Sequence, residues 1–438
     1  MSEWLAADPE RFAIRLAEAG GQACLTWDHA RGALVASQPW LDELAAWLGA
    51  DERDFHEHEG VFFGVGAETG ALFIAAVHKT VRGQGAGGLR HWPYAELEQG
   101  IRDSLRLSLG MSRKNALAGL WWGGGKGIIV RQAGDRFRDA GYRRTVYREY
   151  GEFTTGLRGI YITAEDVGTV PTDLAAVFET TRFATCVPPA VGGSGNPSPA
   201  TAKGVVCAME AALDHRELGT VAGKTIAMQG AGNVATFMIE ELLAREVGKV
   251  VATEISAERC AMLRERFAGK PVEIRETQPG DNSIFAEPCD VLAPNALGGV
   301  LGPETIATIA APIVCGAANN QLLDDRRDDQ LLTDRGITYV PDFVANRMGI
   351  VNCANEQYGT VGGAAGDPAI ERHFGREWDN AVYNVTRRIL EHAAREGTTT
   401  SDAANTLADE ACAQPHPIWG HRGRAIIEGL LADGWGQG

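Results

Sequence analysis

Gly223-Lys-Thr-Ile-Ala-Met-Gln-Gly-Ala-Gly-Asn-Val-Ala235 is the stretch whose reading decides the fold. An apolar run ends in a glycine-bearing turn and passes at once into residues with helical spacing: Phe237, Met238, Ile239, Leu242 and Leu243. A second apolar run, Lys249-Val-Val-Ala-Thr-Glu254, follows. This is strand, turn, helix, strand, the opening of a parallel sheet. Gly230 permits the tight turn, Gly232 lets a pyrophosphate approach the backbone at the helix N-terminus, and Ala235 keeps the helix close to the sheet. Glu254 follows Ala235 by nineteen residues, where an acid can accept hydrogen bonds from the adenosine ribose hydroxyls. Its charge would repel a 2′-phosphate, so NAD is expected rather than NADP, unless a basic neighbour such as Arg259 turns inward.

Further short apolar runs extend the sheet: Asp290-Val-Leu-Ala-Pro, Ile313-Val-Cys-Gly and Ile337-Thr-Tyr-Val-Pro-Asp. Each is bounded by turn or helix signals, and a doubly wound parallel sheet is expected. The chain has 438 residues, 45% hydrophobic and 22% charged, enough for two domains each with a core. A formal charge of −16 argues against a nucleic-acid partner. The N-terminus lacks a basic region followed by an apolar run, and no stretch of about eighteen apolar residues occurs, so a cytoplasmic protein with no membrane partner is expected. Eight cysteines are scattered without a Cys-x-x-Cys pair, so neither a metal site nor a disulfide framework is expected.

Outside this region, two lysines and an acid stand in unusual settings. Lys126 lies in Gly123-Gly-Gly-Lys-Gly127, twelve residues after Lys114 and forty before Asp166. Glycines let other backbone approach Lys126 from several sides, which would desolvate the ammonium and lower its pKa toward a range useful for acid and base work. Apolar flanks (Leu117, Leu120, Trp121 and Trp122 before, Ile128 to Val130 after) make this a turn held between buried elements. It is not a nucleotide P-loop, because Gly127 stands where a magnesium-binding hydroxyl is needed. The competing role for Asp166 is a helix N-cap; Asp173 lies nearer the apolar helical run and serves better, leaving Asp166 for chemistry.

Together these segments resemble the amino-acid dehydrogenase family that acts on glutamate, leucine, phenylalanine and valine, and most closely its leucine and phenylalanine branch. The resemblance spans roughly residues 80 to 400 and rests on motifs in order. They are Gly87-Gly-Leu-Arg, Gly110-Met-Ser-Arg-Lys-Asn-Ala, Gly123-Gly-Gly-Lys-Gly, Tyr161-Ile-Thr-Ala-Glu-Asp-Val-Gly-Thr, Ser194-Gly-Asn-Pro-Ser-Pro, Gln229-Gly-Ala-Gly-Asn-Val-Ala, Gly316-Ala-Ala-Asn-Asn-Gln and Pro341-Asp-Phe-Val-Ala-Asn. It implies an α/β fold of two domains separated by a cleft: a substrate and oligomerisation domain over 1–190, completed by 400–438, and a Rossmann-type domain over 191–399. It also implies a homo-oligomer.

By the resemblance, Lys126 would activate water and polarise the 2-oxo carbonyl, and Asp166 would move a proton to and from the substrate nitrogen. Lys114 would hold the substrate carboxylate. Gly87, Gly88, Met111, Asn320 and Met348 would complete the substrate contacts. Gly230, Gly232, Asn233, Val234, Glu254, Asn295 and Asn319 would hold the cofactor. The expected activity is NAD-dependent oxidative deamination of an L-amino acid, apolar or aromatic rather than glutamate, to its 2-oxo acid and ammonia, and the reverse. Two alternatives stand beside it: a biosynthetic dehydrogenase on a modified amino or 2-oxo acid, and a catalytically silent NAD-binding homologue.

Two departures from the family pattern bear on the pocket. Asn346-Arg-Met-Gly349 replaces the usual Asn-Ala-Gly-Gly, which is expected to add bulk and a cation where side-chain pocket and nicotinamide meet. Trp121-Trp122 is heavier than the usual pair and is expected mainly to fill core. An N-terminal segment with Trp40, Leu41, Leu44, Trp47 and Leu48 at helical spacing suggests an added helix for assembly.

Overall fold

The computed structural model describes Trp4 and residues 6–134, 136–357 and 367–438. The chain divides into two compact units. The first gathers the described residues of Met1–Gly195, Cys353–Gly363 and Asp409–Gly438; the second holds those of Asn196–Asn352 and Ala364–Ala408.

Two details differ from the expected division. Residues from Cys353 belong with the first unit, because Glu356 accepts backbone N–H bonds from Cys186, Val187 and Ser194. Residues 400–408 belong with the second, where Asp329 accepts the N–H of Ser401 at 2.8 Å and so caps the helix Thr400–Cys412. Sequence periodicity carries no trace of such long-range caps.

Among the described residues, the first unit holds a seven-stranded sheet: β1 (Gln22–Asp28), β2 (Ala33–Ala36), β3 (Gly60–Val65), β4 (Leu72–Val77), β5 (Gly85–Trp92), β6 (Gly123–Val130) and β7 (Tyr161–Glu165), in the order β2-β1-β3-β4-β6-β5-β7. β1 to β4 pair antiparallel, and β4 pairs antiparallel with β6, whereas β5 runs parallel to both β6 and β7. One face packs on helix Leu97–Leu117 and an N-terminal cluster around Phe12, Leu44 and Phe63; the other packs on Tyr147, Tyr150, Phe153 and Leu174.

Gly123 to Gly127, read from sequence as a turn, is the first half of β6 and is wholly buried. The glycines follow from what covers the strand on both faces. A Cβ at Gly124 would enter Ser112 of helix Leu97–Leu117, and one at Gly125 would stand 2.5 Å from the ring of Tyr161. Only a bare backbone fits between helix and rings, so these glycines serve close approach rather than flexibility. The N-terminal apolar helix forms as Asp42–Gly49, but Leu41, Leu44 and Leu48 are buried in the unit's own core, which removes them from an assembly surface.

The second unit contains β8 (Thr225–Gln229), β9 (Lys249–Glu254), β10 (Val272–Glu276), β11 (Val291–Pro294), β12 (Ile313–Val314) and β13 (Thr338–Tyr339). The order is β10-β9-β8-β11-β12-β13, all parallel. This is the doubly wound arrangement expected, with its topological switch between β8 and β11. Sequence reading missed β10, an edge strand of Val-Glu-Ile-Arg-Glu that lacks a fully apolar run. Among the described residues, no helix is long and apolar enough to cross a membrane.

Candidate active site

Lys126 points from β6 with 4% of its surface exposed, and its Nζ donates to Asp166 Oδ2 at 2.5 Å. Asp166 directly follows β7, so parallel pairing of β5 with both β6 and β7 is what brings two residues forty apart into contact. Gly88, on β5 between them, makes room: a Cβ there would lie 2.7 Å from Asp166 Cβ. At Gly87 a Cβ would overlap the carbonyl of Gly125 and sit 3.0 Å from Met111 Cγ. Met111 and Lys114 lie one turn apart on helix Leu97–Leu117, on the same side, and both are half-buried. The first unit thus brings together Lys126, Asp166 and Gly88, and separately Gly87 with Met111.

Asp166 does not cap a helix with its side chain. Asp173, the third residue of Pro171–Phe178, accepts the N–H of Val170 at 2.9 Å and takes over that role from inside the first turn. The electrostatics of the pair are asymmetric. Burial drives the Lys126 ammonium below its ordinary value, against the attraction of Asp166. Burial would raise the Asp166 carboxyl, but Lys126 and Arg90 outweigh it and hold it below the ordinary carboxylate range. A lysine that loses its proton readily beside an aspartate that keeps its charge can act as base and acid in turn.

Sequence reasoning passed over Arg90. It closes the motif Gly87-Gly-Leu-Arg, and its Nε donates to the same Asp166 oxygen at 3.1 Å. Its Nη1 donates to Asp103 at 2.7 Å. The available signal was strand alternation, which sets Arg90 on the face of Gly88.

In the second unit, Gly230 has φ +91°, a conformation that favours glycine, and a Cβ there would lie 2.6 Å from Ala296 Cβ. Gly232 has open space where a Cβ would be, and Asn233 and Val234 open the helix that follows, as a phosphate-approach turn needs. At the carboxyl ends of β8 and β11, Gln229 Oε1 and Asn295 Nδ2 are buried with no hydrogen-bond partner among the described residues. Asn295 spends its Oδ1 on the N–H of Ala317 at 2.8 Å. Unsatisfied buried polar atoms at the switch point fit a polar ligand, and a dinucleotide matches both them and the turn.

Glu254 ends β9, its Oε1 accepting the N–H groups of Ile255 and Ser256 while Oε2 stands 3.8 Å from Arg259. Arg259 itself is tied to the turn through Ala231 O at 2.7 Å. Asn319 accepts from Asn346 Nδ2 at 2.7 Å, and Asn320 is exposed with φ +51°.

The expectation for Arg347 and Met348 meets a different structure. Both are fully buried: Met348 packs on Gly204, whose added Cβ would lie 2.6 Å from Met348 Cγ, and Arg347 Nη2 donates to Asn380 O. The glycine of helix Ser198–His215 accommodates the added bulk, so neither side chain opens onto a pocket surface.

A buried lysine–aspartate pair and a doubly wound unit with a dinucleotide-type turn fit a dehydrogenase. Comparison with known sequences fixes which kind. The Glutamate/Leucine/Phenylalanine/Valine dehydrogenase family model matches residues 192–417, and the Glu/Leu/Phe/Val dehydrogenase dimerisation-domain model matches 69–183. The chain belongs to this family, whose members are dinucleotide-dependent, and is an amino-acid dehydrogenase.

Leucine dehydrogenase of Bacillus cereus is 39% identical over 82% of this chain and 92% of that protein. Valine dehydrogenase of Streptomyces albus is 35% identical over 82% and 93%. Among solved structures, L-tryptophan dehydrogenase from Nostoc punctiforme aligns with a TM-score of 0.68 at 30% identity, covering 84% of this chain and 98% of that one.

Proposed function

We propose that the chain catalyses NAD-dependent oxidative deamination of an L-amino acid with an apolar or aromatic side chain to the 2-oxo acid and ammonia, and the reverse reductive amination. The observation that carries this reading is the Lys126–Asp166 bond, a buried ammonium driven down beside a carboxylate that stays ionised. The amino acids for which the relatives are named, leucine, valine and tryptophan, support the side-chain class.

Lys114 binds the substrate carboxylate as a point charge. Asp166 takes a proton from the substrate ammonium, freeing the nitrogen lone pair. With the dinucleotide bound, its nicotinamide would supply the acceptor for the hydride of the substrate α-carbon. Neutral Lys126 then takes a proton from the water that adds to the imine carbon. Asp166 returns its proton to the carbinolamine nitrogen, the C–N bond breaks to release ammonia as the hydroxyl proton passes back to the Asp166 carboxylate, and the 2-oxo acid remains with its carbonyl polarised by the Lys126 ammonium. Gly230, Gly232, Asn233, Val234, Asn295 and Asn319 are the residues that would hold the dinucleotide. Glu254 would take the adenosine ribose hydroxyls, which supports NAD over NADP. A homo-oligomer is proposed on the strength of the dimerisation-domain match.

The test is NADH formation across the L-amino acids by the wild-type chain and by Lys126→Met, with NAD binding measured separately by fluorescence. Turnover of an apolar or aromatic amino acid that Lys126→Met abolishes, with NAD binding kept, is the expected result. NAD binding without turnover of any amino acid refutes the deamination reading.

A further inference from the structure

We propose that Arg90, anchored by Asp103, is a positioning residue for the Lys126–Asp166 pair: it fixes the carboxylate toward the lysine and sets the balance of charge on which their proton exchange depends. The proposal rests on the reading of that pair as the proton-transfer centre.

The geometry is a chain of charges inside one unit. Asp166 Oδ2 receives Lys126 Nζ at 2.5 Å and Arg90 Nε at 3.1 Å. Arg90 Nη1 reaches Asp103 Oδ2 at 2.7 Å, and the same oxygen takes the Tyr94 hydroxyl at 2.6 Å. Arg106 Nη2 holds the other Asp103 oxygen at 3.0 Å. Asp103 lies on helix Leu97–Leu117 and is buried. Arg90 on β5 therefore spans from the helix to the end of β7. A guanidinium suits this task, since its planar fork donates to two carboxylates in fixed directions and keeps its charge at every working pH.

The titratable groups that act on the pair or its anchor are Arg90 from β5, Asp103 and Arg106 from the helix, the neutral phenol of Tyr94 from the segment before it, and Glu165 and the neutral phenol of Tyr161 from β7. Lys126 and Arg90 share one oxygen, so the two cations stand within about 6 Å of each other and repel across a poorly solvated gap. Arg90 works to lower Lys126, after burial and against Asp166, while Asp103 works to raise it. The two anchoring residues thus act on the lysine with opposite signs. A scaffold that only held the strands together would have no such signature.

The experiment uses the full chain and three variants: Arg90→Gln, Arg90→Lys and Asp103→Asn. Protonation of Lys126 is followed by 13Cε-lysine NMR, its resonance assigned with Lys126→Arg, and the pH profile of kcat/KM is taken on the amino acid the wild type turns over. Removing Arg90 deletes a like charge, so Arg90→Gln moves the lysine midpoint up by about one pH unit, and the profile moves with it. Asp103→Asn leaves the guanidinium less neutralised and moves both down by less. Arg90→Lys restores the wild-type position in part.

Midpoints unmoved in both variants, or moved the same way, overturn the proposal even if activity falls. Should Arg90→Gln fail to fold, the downward shift in Asp103→Asn decides alone. Should the wild type turn over no amino acid, the deamination reading fails, and the lysine titration still decides the role of Arg90.

Discussion

Replacing Asp166 by Asn removes one negative charge from the buried centre and keeps its shape, leaving Lys126 and Arg90 on a neutral amide. Stranding a buried cation costs on the order of 3–5 kcal/mol. Lys126 can escape by losing its proton, which from an unfolded lysine near 10.4 costs about 4.6 kcal/mol at pH 7. The two limits meet, and since a fifth of the Asp166 side chain reaches solvent, a deficit of about 3–4 kcal/mol at pH 7 is expected. For a unit of roughly two hundred residues that is a fall in Tm of about 6–16 °C.

The pH dependence carries the sharper test. In the variant the folded lysine binds its proton less tightly than the unfolded one. Between those two pKa values the unfolded chain holds the extra proton, so stability rises with pH by up to about 1.4 kcal/mol per unit. Lys126 is depressed in the wild type as well, but less so because the Asp166 carboxylate favours its ammonium, so the deficit narrows with rising pH between the variant's folded lysine pKa and the higher wild-type one. Melting curves by circular dichroism from pH 6 to pH 9 measure it, with Lys126→Met added in the same background to flatten the dependence. A deficit of equal size at every pH would refute the argument that an uncompensated ammonium is its source.

Gly87→Ala drives a methyl into the carbonyl of Gly125 and against Met111, between β5 and β6. It should destabilise the first unit by about 1–3 kcal/mol and, by displacing Lys126, lower kcat on the order of a hundredfold with little change in NAD affinity; a Tm and kcat at wild-type values would sink the close-packing argument. Met348→Ala opens a cavity beside Gly204 and should cost about 2–5 kcal/mol while leaving the ranking of amino-acid substrates unchanged. A changed ranking in a well-folded variant would restore Met348 to the substrate pocket.

Much of the fold was legible. The second unit could be read because each strand and helix there is short, locally periodic and punctuated by glycine: β8, the turn at Gly230 and helix Asn233–Ala244 fall where the sequence places them. β10 escaped because three of its five residues are charged, as a sheet edge permits. Lys126 and Asp166 were legible as unusual residues in unusual settings, and the family pattern joined them. The turn assigned to Gly123–Gly127 was wrong for a physical reason: glycine signals a turn when local and a narrow strand when both faces are crowded, and Tyr161 and Ser112 do the crowding from far along the chain.

The sequence by itself determined the class of the second unit and the glycine turn at its head, because each is written in contiguous residues with a local physical meaning; it marked Lys126 and Asp166 each in its own setting, forty residues apart. Tertiary structure alone decided that Arg90 and Asp103 stand behind that pair, and that Arg347 and Met348 turn into the core against Gly204 and Asn380. Those outcomes depend on which distant backbone lies opposite a side chain, a quantity that periodicity and spacing do not encode.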